Sequence, residues 1–107
     1  QSRNPKHKIQ PIHYSGSIKD TKDKLKKVFD SIGDAIFVTI TKKYWHIEFT
    51  SRWLGFVDDV EILFSESESQ IDIRSSSRVG YWDLGVNRKR VEKIRFQFSK
   101  LENEERN

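Results

Sequence analysis

The apolar residues change their spacing twice along the chain, and this change limits the fold more than any other feature of the sequence. Between Ser17 and Gly33 they recur every three to four residues, as in a helix with one buried face. Ser17 is a suitable N-cap with Asp20 as its capping-box partner, and Gly33 is a typical residue at a helix end. The apolar face of this predicted helix consists of Ile18, Leu25, Val28, Phe29 and Ile32.

After Gly33 the spacing becomes two, which is the repeat of a β-strand with one buried face. Four runs show this spacing: "AIFVTIT", "YWHIEFTS", "VEILFS" and "QIDIRS". In the first run Phe37 lies on one side of the strand, and three apolar residues share the other: Ile36, Val38 and Ile40. Because the segments between the runs are short, we expect successive strands to pair as an antiparallel meander.

The last periodic segment, from about Asn87 to Leu101, returns to helical spacing, and its start is also compatible with a position near Asp83. Two helices and four strands in the order α-β-β-β-β-α can share one core only if both helices cover the same face of the sheet. We therefore predict an α+β fold, a two-layer sandwich of a four-stranded antiparallel meander with two helices on one face. The chain is predicted to be a single domain (1–107), with an extended arm (1–14), a globular core (15–101) and a frayed tail (102–107).

Composition excludes several classes of function. The chain has 107 residues and no cysteine, which excludes disulfides, thiolate metal sites and cysteine nucleophiles. Its net charge of +4 arises from basic residues interleaved with sixteen acidic ones, a distribution more typical of a solvated surface than of a nucleic-acid-binding patch. No apolar run has the length of a transmembrane segment. Since the chain contains no methionine, we expect a leader or an anchor upstream of Gln1.

The segment "RSSSRVGYWDLGVNRKR", residues 74–90, is the strongest candidate for a functional surface. Basic residues in the first turn of the last helix would oppose its dipole, so a carboxylate or a bound anion should offset them. One interpretation is a structural ion-pair network of carboxylates with arginines: Asp58, Asp59 and Asp83 with Arg74, Arg78 and Arg88. The other is a site where these arginines bind a phosphate, a carboxylate or an acidic lipid headgroup.

Catalysis has weaker support. Asp58 and Asp59 are adjacent in sequence, so on a strand they point to opposite faces and do not form an acid–base pair. A hydrolase would instead need Asp59 or Asp83 free in a cleft. The three histidines, His7, His13 and His46, do not have the spacing of metal ligands. We therefore predict neither a metal site nor another cofactor.

The segment "SRWLGF", residues 51–56, carries three bulky apolar side chains in an expected connection between strands: Trp53, Leu54 and Phe56. One interpretation is that they fold back over the edge of the core. The alternative is an exposed apolar lip that docks a protein partner.

Three stretches resemble the uncharacterised family number 1499 among the domains of unknown function: "HKIQPIHYSGS", "FTSRWLGFVDDVEILF" and "IDIRSSSRVGYWDLGVNRKRVEKIR". The resemblance covers nearly the whole chain and implies no established enzymatic activity. Some members of the family resemble secreted bacterial lipoproteins or carry membrane anchors, which implies an extracytoplasmic, membrane-tethered location. The family pattern falls on Asp58, Asp59, Arg74, Ser75, Ser77, Arg78, Gly80, Asp83, Gly85, Asn87 and Arg88.

We therefore predict a non-enzymatic binding or structural module without catalytic residues, whose candidate partner is a small anion or a lipid headgroup. The alternatives are a hydrolase that uses Asp59 and Asp83, and partner docking through the 51–56 segment. The candidate ligand-binding residues are Asp58, Asp59, Arg74, Ser75, Ser77, Arg78, Asp83, Asn87 and Arg88.

Overall fold

The computed structural model of the chain describes residues 10–50, 57–77 and 84–106. The elements, in chain order, are β1 (Ile12–His13), α1 (Ile18–Ile32), β2 (Ala35–Ile40), β3 (Tyr44–Thr50), β4 (Val57–Ser65), β5 (Gln70–Ser77) and α2 (Leu84–Arg106). None of the helices in these ranges combines the length and the apolar content needed to cross a membrane.

Helix α1 begins and ends where its capping residues predict. The hydroxyl of Ser17 accepts a hydrogen bond from the backbone N–H of Asp20 at 3.0 Å, which satisfies one of the free donors of the first turn. At the other end Gly33 has a φ of 85° and donates its backbone N–H to the carbonyl of Phe29. A positive φ costs little at glycine, so this residue can end the helix and turn the chain toward β2.

The sheet has the predicted meander and one additional strand. Its strand order is β1-β5-β4-β3-β2 with antiparallel pairing throughout, so the α+β prediction is confirmed with five strands rather than four. The additional strand, β1, lies in the predicted extended arm, where Ile12 pairs with Ile71. Ile12 and Tyr14 are both buried, and this burial accounts for the docking of the arm against β5.

One face of the sheet packs against the two helices and forms the core. Every second residue of β3 and β4 is buried, and these side chains meet the apolar faces of α1 and α2. The fully buried side chains include Phe29, Trp45, Ile47, Val60, Ile62, Ile71, Val91, Ile94 and Phe98. We call this side of the sheet the covered face and the opposite side the open face.

Strand β2 keeps the two-residue alternation of burial but pairs irregularly with β3. Its inward residue is Phe37, whose ring packs edge-on against Phe29 and Trp45 with centroid distances of 5.6 Å in both pairs. The pairing with β3 then shifts between Phe37 and Thr39, which leaves Val38 as an extra residue on this edge strand. The three apolar residues that share one side in the sequence pattern are about half exposed: Ile36, Val38 and Ile40.

Helix α2 begins at Leu84, which agrees with the earlier of the two predicted starts, and it ends at Arg106, beyond the predicted end at Leu101. The helix continues beyond Leu101 because Glu102 is held against the rest of the fold. We had predicted that Glu102 belongs to a frayed tail. The carboxylate of Glu102 is buried, lies 3.5 Å from the ammonium group of Lys24, and accepts two hydrogen bonds from Ser15. These contacts fix the last turns of α2 against α1 and the arm.

We predict that Glu102→Gln lowers the free energy of unfolding by about 3 kcal/mol, because Lys24 loses its carboxylate in a buried position. This value is the low end for breaking a buried pair, since Lys24 takes part in a further interaction. Urea unfolding of Glu104→Gln, an exposed change on the same helix, should stay within about 0.5 kcal/mol of the parent chain. Equal stabilities of the two variants would contradict the prediction.

Candidate functional site

Strand β4 separates the two aspartates on which the sequence prediction centred. Asp58 lies on the covered face and is only 5% exposed, whereas Asp59 points to the open face and is half-buried. The prediction that the two side chains point to opposite faces is confirmed. They therefore face different environments and belong to different groups of side chains.

Asp58 binds an arginine outside the predicted set. Its Oδ2 accepts a hydrogen bond from Nη1 of Arg90 at 2.6 Å, and the Arg90 guanidinium also lies over the ring of Phe49, 4.6 Å from its centroid. Within the described part of the chain, the other oxygen, Oδ1, is buried without a hydrogen-bond partner. A buried carboxylate is costly without a cation beside it. The pair of Asp58 and Arg90 meets this need and joins β4 to α2 on the covered face.

The position of α2 also changes the electrostatics of the segment from residue 74 to residue 90. Because the helix begins at Leu84, its first turn carries no charged residue, and Arg88, Lys89 and Arg90 follow in the second turn. The effect of the helix dipole falls off beyond the first turn, so these cations oppose it less than the sequence analysis expected. Arg88 and Lys89 are exposed, and only Arg90 turns toward the sheet.

The remaining predicted residues are divided between the two faces or lie outside the description. Ser75 pairs with Val60 on the covered face, is buried and takes part in an interaction, whereas Arg74 is exposed on the open face. Arg78, Asp83 and the proposed apolar lip (Trp53, Leu54 and Phe56) lie outside the described residues, as do the side chains of Ser77 and Asn87.

The open face carries polar side chains in two rows that cross β3, β4 and β5. In one row His46 pairs with Glu61, which pairs with Arg74; in the next, Glu48 pairs with Asp59, which pairs with Ser76. Residues directly opposite each other in paired strands lie side by side on the same face. We call these six residues the open-face cluster: His46, Glu48, Asp59, Glu61, Arg74 and Ser76.

Within the open-face cluster, His46 and Asp59 contact each other diagonally between the two rows. The distance from His46 Nε2 to Asp59 Oδ1 is 2.7 Å, and both side chains are about 20% exposed. This distance is that of a hydrogen bond, in which Nε2 is the donor when it carries the ring proton. Glu48 completes a group in which one ligand atom from each of three side chains lies within 4.8 Å of the others: His46, Glu48 and Asp59.

Glu61 is engaged by a tyrosine on the neighbouring strand. The hydroxyl of Tyr44 donates a hydrogen bond to Glu61 Oε2 at 2.7 Å. This hydrogen bond, then burial and the negative charges of Glu61 and Asp59, raise the pKa of Tyr44 above its ordinary value. The hydrogen-bonded neutral phenol is thus the stable form, and its contribution to stability is lost only as the pH rises through this raised pKa.

Sequence reasoning left six of these residues out of the candidate site: Tyr44, His46, Glu48, Glu61, Ser76 and Arg90. The polar side of "YWHIEFTS" placed His46 and Glu48 together on one face, which was a usable signal. It could not show that Asp59 lies beside them, because that contact depends on the register between β3 and β4.

We predict that Arg90→Gln costs about 3–5 kcal/mol of stability, because it leaves the buried carboxylate of Asp58 without its cation. The matched control is Arg88→Gln, which removes the same charge from an exposed position in the same turn. Urea unfolding should place this control within about 0.5 kcal/mol of the parent chain. A small loss in both variants would show that the Asp58–Arg90 pair does not hold α2.

We also predict that Glu61→Gln lowers the pKa of Tyr44 toward its ordinary value, because it removes both the charged acceptor and its repulsion of the phenolate. Absorbance of the phenolate, recorded during an alkaline titration, measures this pKa, and Tyr44→Phe identifies which transition belongs to Tyr44. Glu92→Gln, at an exposed position on α2, should leave the transition in place. A Tyr44 transition that stays unchanged in Glu61→Gln would contradict this assignment.

Comparison with known proteins gives a family but no characterised relative. No curated protein and no solved structure matches the chain. A family model described as "Protein of unknown function (DUF1499)" matches residues 1–98, which include every strand and most of both helices. The chain therefore belongs to this family of proteins of unknown function, as its motifs predict.

Proposed function

We propose that the protein is a non-enzymatic binding module that holds an anionic group of a small molecule or a lipid headgroup at Arg74, on the open face of the sheet. One observation carries this proposal. Arg74 is exposed, and among the described residues it makes no hydrogen bond or ion pair, although Glu61 lies directly opposite on β4. An unpaired guanidinium beside a fixed polar cluster is available to an anion.

The reason that Arg74 lacks this ion pair is local. Glu61 already accepts a short hydrogen bond from Tyr44 on its other side, and this bond holds the carboxylate toward β3. An arginine keeps its positive charge at every physiological pH and offers five N–H donors in a planar fork. A phosphate or a carboxylate can accept two of these donors at once, which gives the strongest class of charged hydrogen bonds.

The neighbourhood of Arg74 supplies further support. Ser76 lies two residues along on the same face and offers a hydroxyl group to the same ligand. β4 pairs with β5 along its whole length, whereas β1 pairs with it only at Gln70 and Ile71. Both side chains therefore project from a strand that β4 holds in place.

Two sources could supply such an anion, a free metabolite or a lipid headgroup. The resemblance to secreted and membrane-anchored members of the family favours a surface that works near a membrane. The chemistry at Arg74 is the same for both sources, namely a phosphate or carboxylate oxygen that accepts guanidinium N–H groups.

We predict that inorganic phosphate perturbs the backbone amide signals of Arg74 and Ser76 in a saturable titration followed by nuclear magnetic resonance. Arg74→Gln should weaken phosphate binding by about tenfold or more, since a hydrogen bond to a charged group contributes about 1.5–3 kcal/mol. Lys93→Gln, on the exposed side of α2, removes the same charge and should leave phosphate affinity nearly unchanged.

Absence of phosphate binding by the parent chain, or equal affinity in Arg74→Gln, would overturn the proposal. Co-sedimentation with phosphatidylglycerol vesicles separates the two sources of the anion. Loss of vesicle binding in Arg74→Gln would identify a headgroup, whereas phosphate binding without vesicle binding would identify a free ligand. Because Arg74 is exposed, urea unfolding of Arg74→Gln should match the parent chain within about 0.5 kcal/mol, which excludes misfolding as the cause.

A further inference from the structure

The group formed by His46, Glu48 and Asp59 on the open face has the chemistry of a metal site. One ligand atom from each of the three side chains lies within 4.8 Å of the others, and all three side chains are half-buried. We infer that these three residues bind a divalent transition-metal ion of the zinc class. This inference goes beyond the proposed anion site and does not depend on it.

The donor set suits such an ion. Zinc and its neighbours accept an imidazole nitrogen and carboxylate oxygens, and three protein ligands leave further coordination positions for water or another ligand. The distance from His46 Nε2 to Asp59 Oδ1 is 2.7 Å. In the tetrahedral arrangement typical of zinc, two donors with bonds of about 2.1 Å lie about 3.4 Å apart. The contact between His46 and Asp59 therefore has to open by roughly 0.7 Å to admit the ion in place of the hydrogen bond.

The backbone places the three ligands without requiring a flexible loop. Glu48 pairs directly with Asp59, and His46 precedes Glu48 by two residues, so strand alternation brings all three to one face. β3 and β4 are paired without interruption from Tyr44–Leu63 to Thr50–Val57, and both strands are interior to the sheet. Ligands on such paired strands are already positioned before the metal arrives, which lowers the entropic cost of binding.

The charge of the open-face cluster also favours a cation. Three carboxylates (Glu48, Asp59 and Glu61) lie in the two rows with a single arginine, although the whole chain has a net charge of +4. Glu48 and Asp59 also take part in interactions of their own within the chain. A metal ion would have to compete with these interactions, so we expect micromolar rather than nanomolar affinity.

The test uses zinc ions alone, in a buffer without phosphate, with the full chain previously treated with a chelator. Isothermal titration calorimetry should show one zinc ion per chain, and cobalt(II) should give visible absorption bands typical of a site with imidazole and carboxylate ligands. His46→Gln should weaken zinc binding by about tenfold or more, as expected when a ligand of the ion is lost. Glu48→Gln should also weaken it, which provides a second variant if one of them folds poorly.

The matched control is His13→Gln, which removes an exposed histidine on the edge strand β1 and should leave zinc affinity unchanged. The inference is overturned if the parent chain binds no zinc, or if His46→Gln and Glu48→Gln both bind it as the parent does. Arg74→Gln should retain zinc binding. Zinc binding by a chain that does not bind phosphate would therefore refute the anion proposal and leave this inference intact.

Discussion

The two helices cover only one face of the sheet, and strand alternation then decides which chemistry each polar residue can perform. On the covered face the carboxylate of Asp58 is removed from water, so it needs the cation of Arg90, and the resulting pair fixes α2 over the end of β4. One residue later, Asp59 lies on the open face, where its carboxylate contacts His46. A one-residue change of register in β4 would exchange these two roles.

The elements that the sequence predicts correctly are those specified by local pattern. Ser17 caps the start of α1 and Gly33 ends it, and both roles follow from the residue type. The two-residue alternation of a strand requires the side chains of Asp58 and Asp59 to point to opposite faces. β1 is too short to show any period, and its pairing depends on what Ile12 can bury against β5. The extension of α2 is equally non-local, because Glu102 is held by residues far away in sequence.

The candidate site was harder to predict than the fold, because contacts across strands depend on register and contacts from a helix depend on where it begins. The polar face of β3 was visible in the sequence, but the 2.7 Å contact between His46 and Asp59 was not. Arg90 lies four positions before the buried Ile94, and Arg88 lies three positions before the buried Val91, so helical spacing alone places both beside the apolar stripe. The choice of Arg90 as the partner of Asp58 depends on how α2 packs against β4, which the sequence does not show.

The anion proposal and the metal inference are physically connected through the charge of the open-face cluster. Glu48, Asp59 and Glu61 repel an anion that approaches Arg74, and this repulsion limits how tightly the arginine alone can hold it. A divalent ion at His46 would neutralise the net negative charge of the cluster and offer an open coordination position to the same anion. By thermodynamic linkage, an anion that binds better in the presence of the metal must strengthen metal binding by the same factor. Without a metal, the carboxylates near Arg74 should weaken anion binding and make it selective. Only ligands that accept two hydrogen bonds from the guanidinium would overcome the repulsion by these carboxylates.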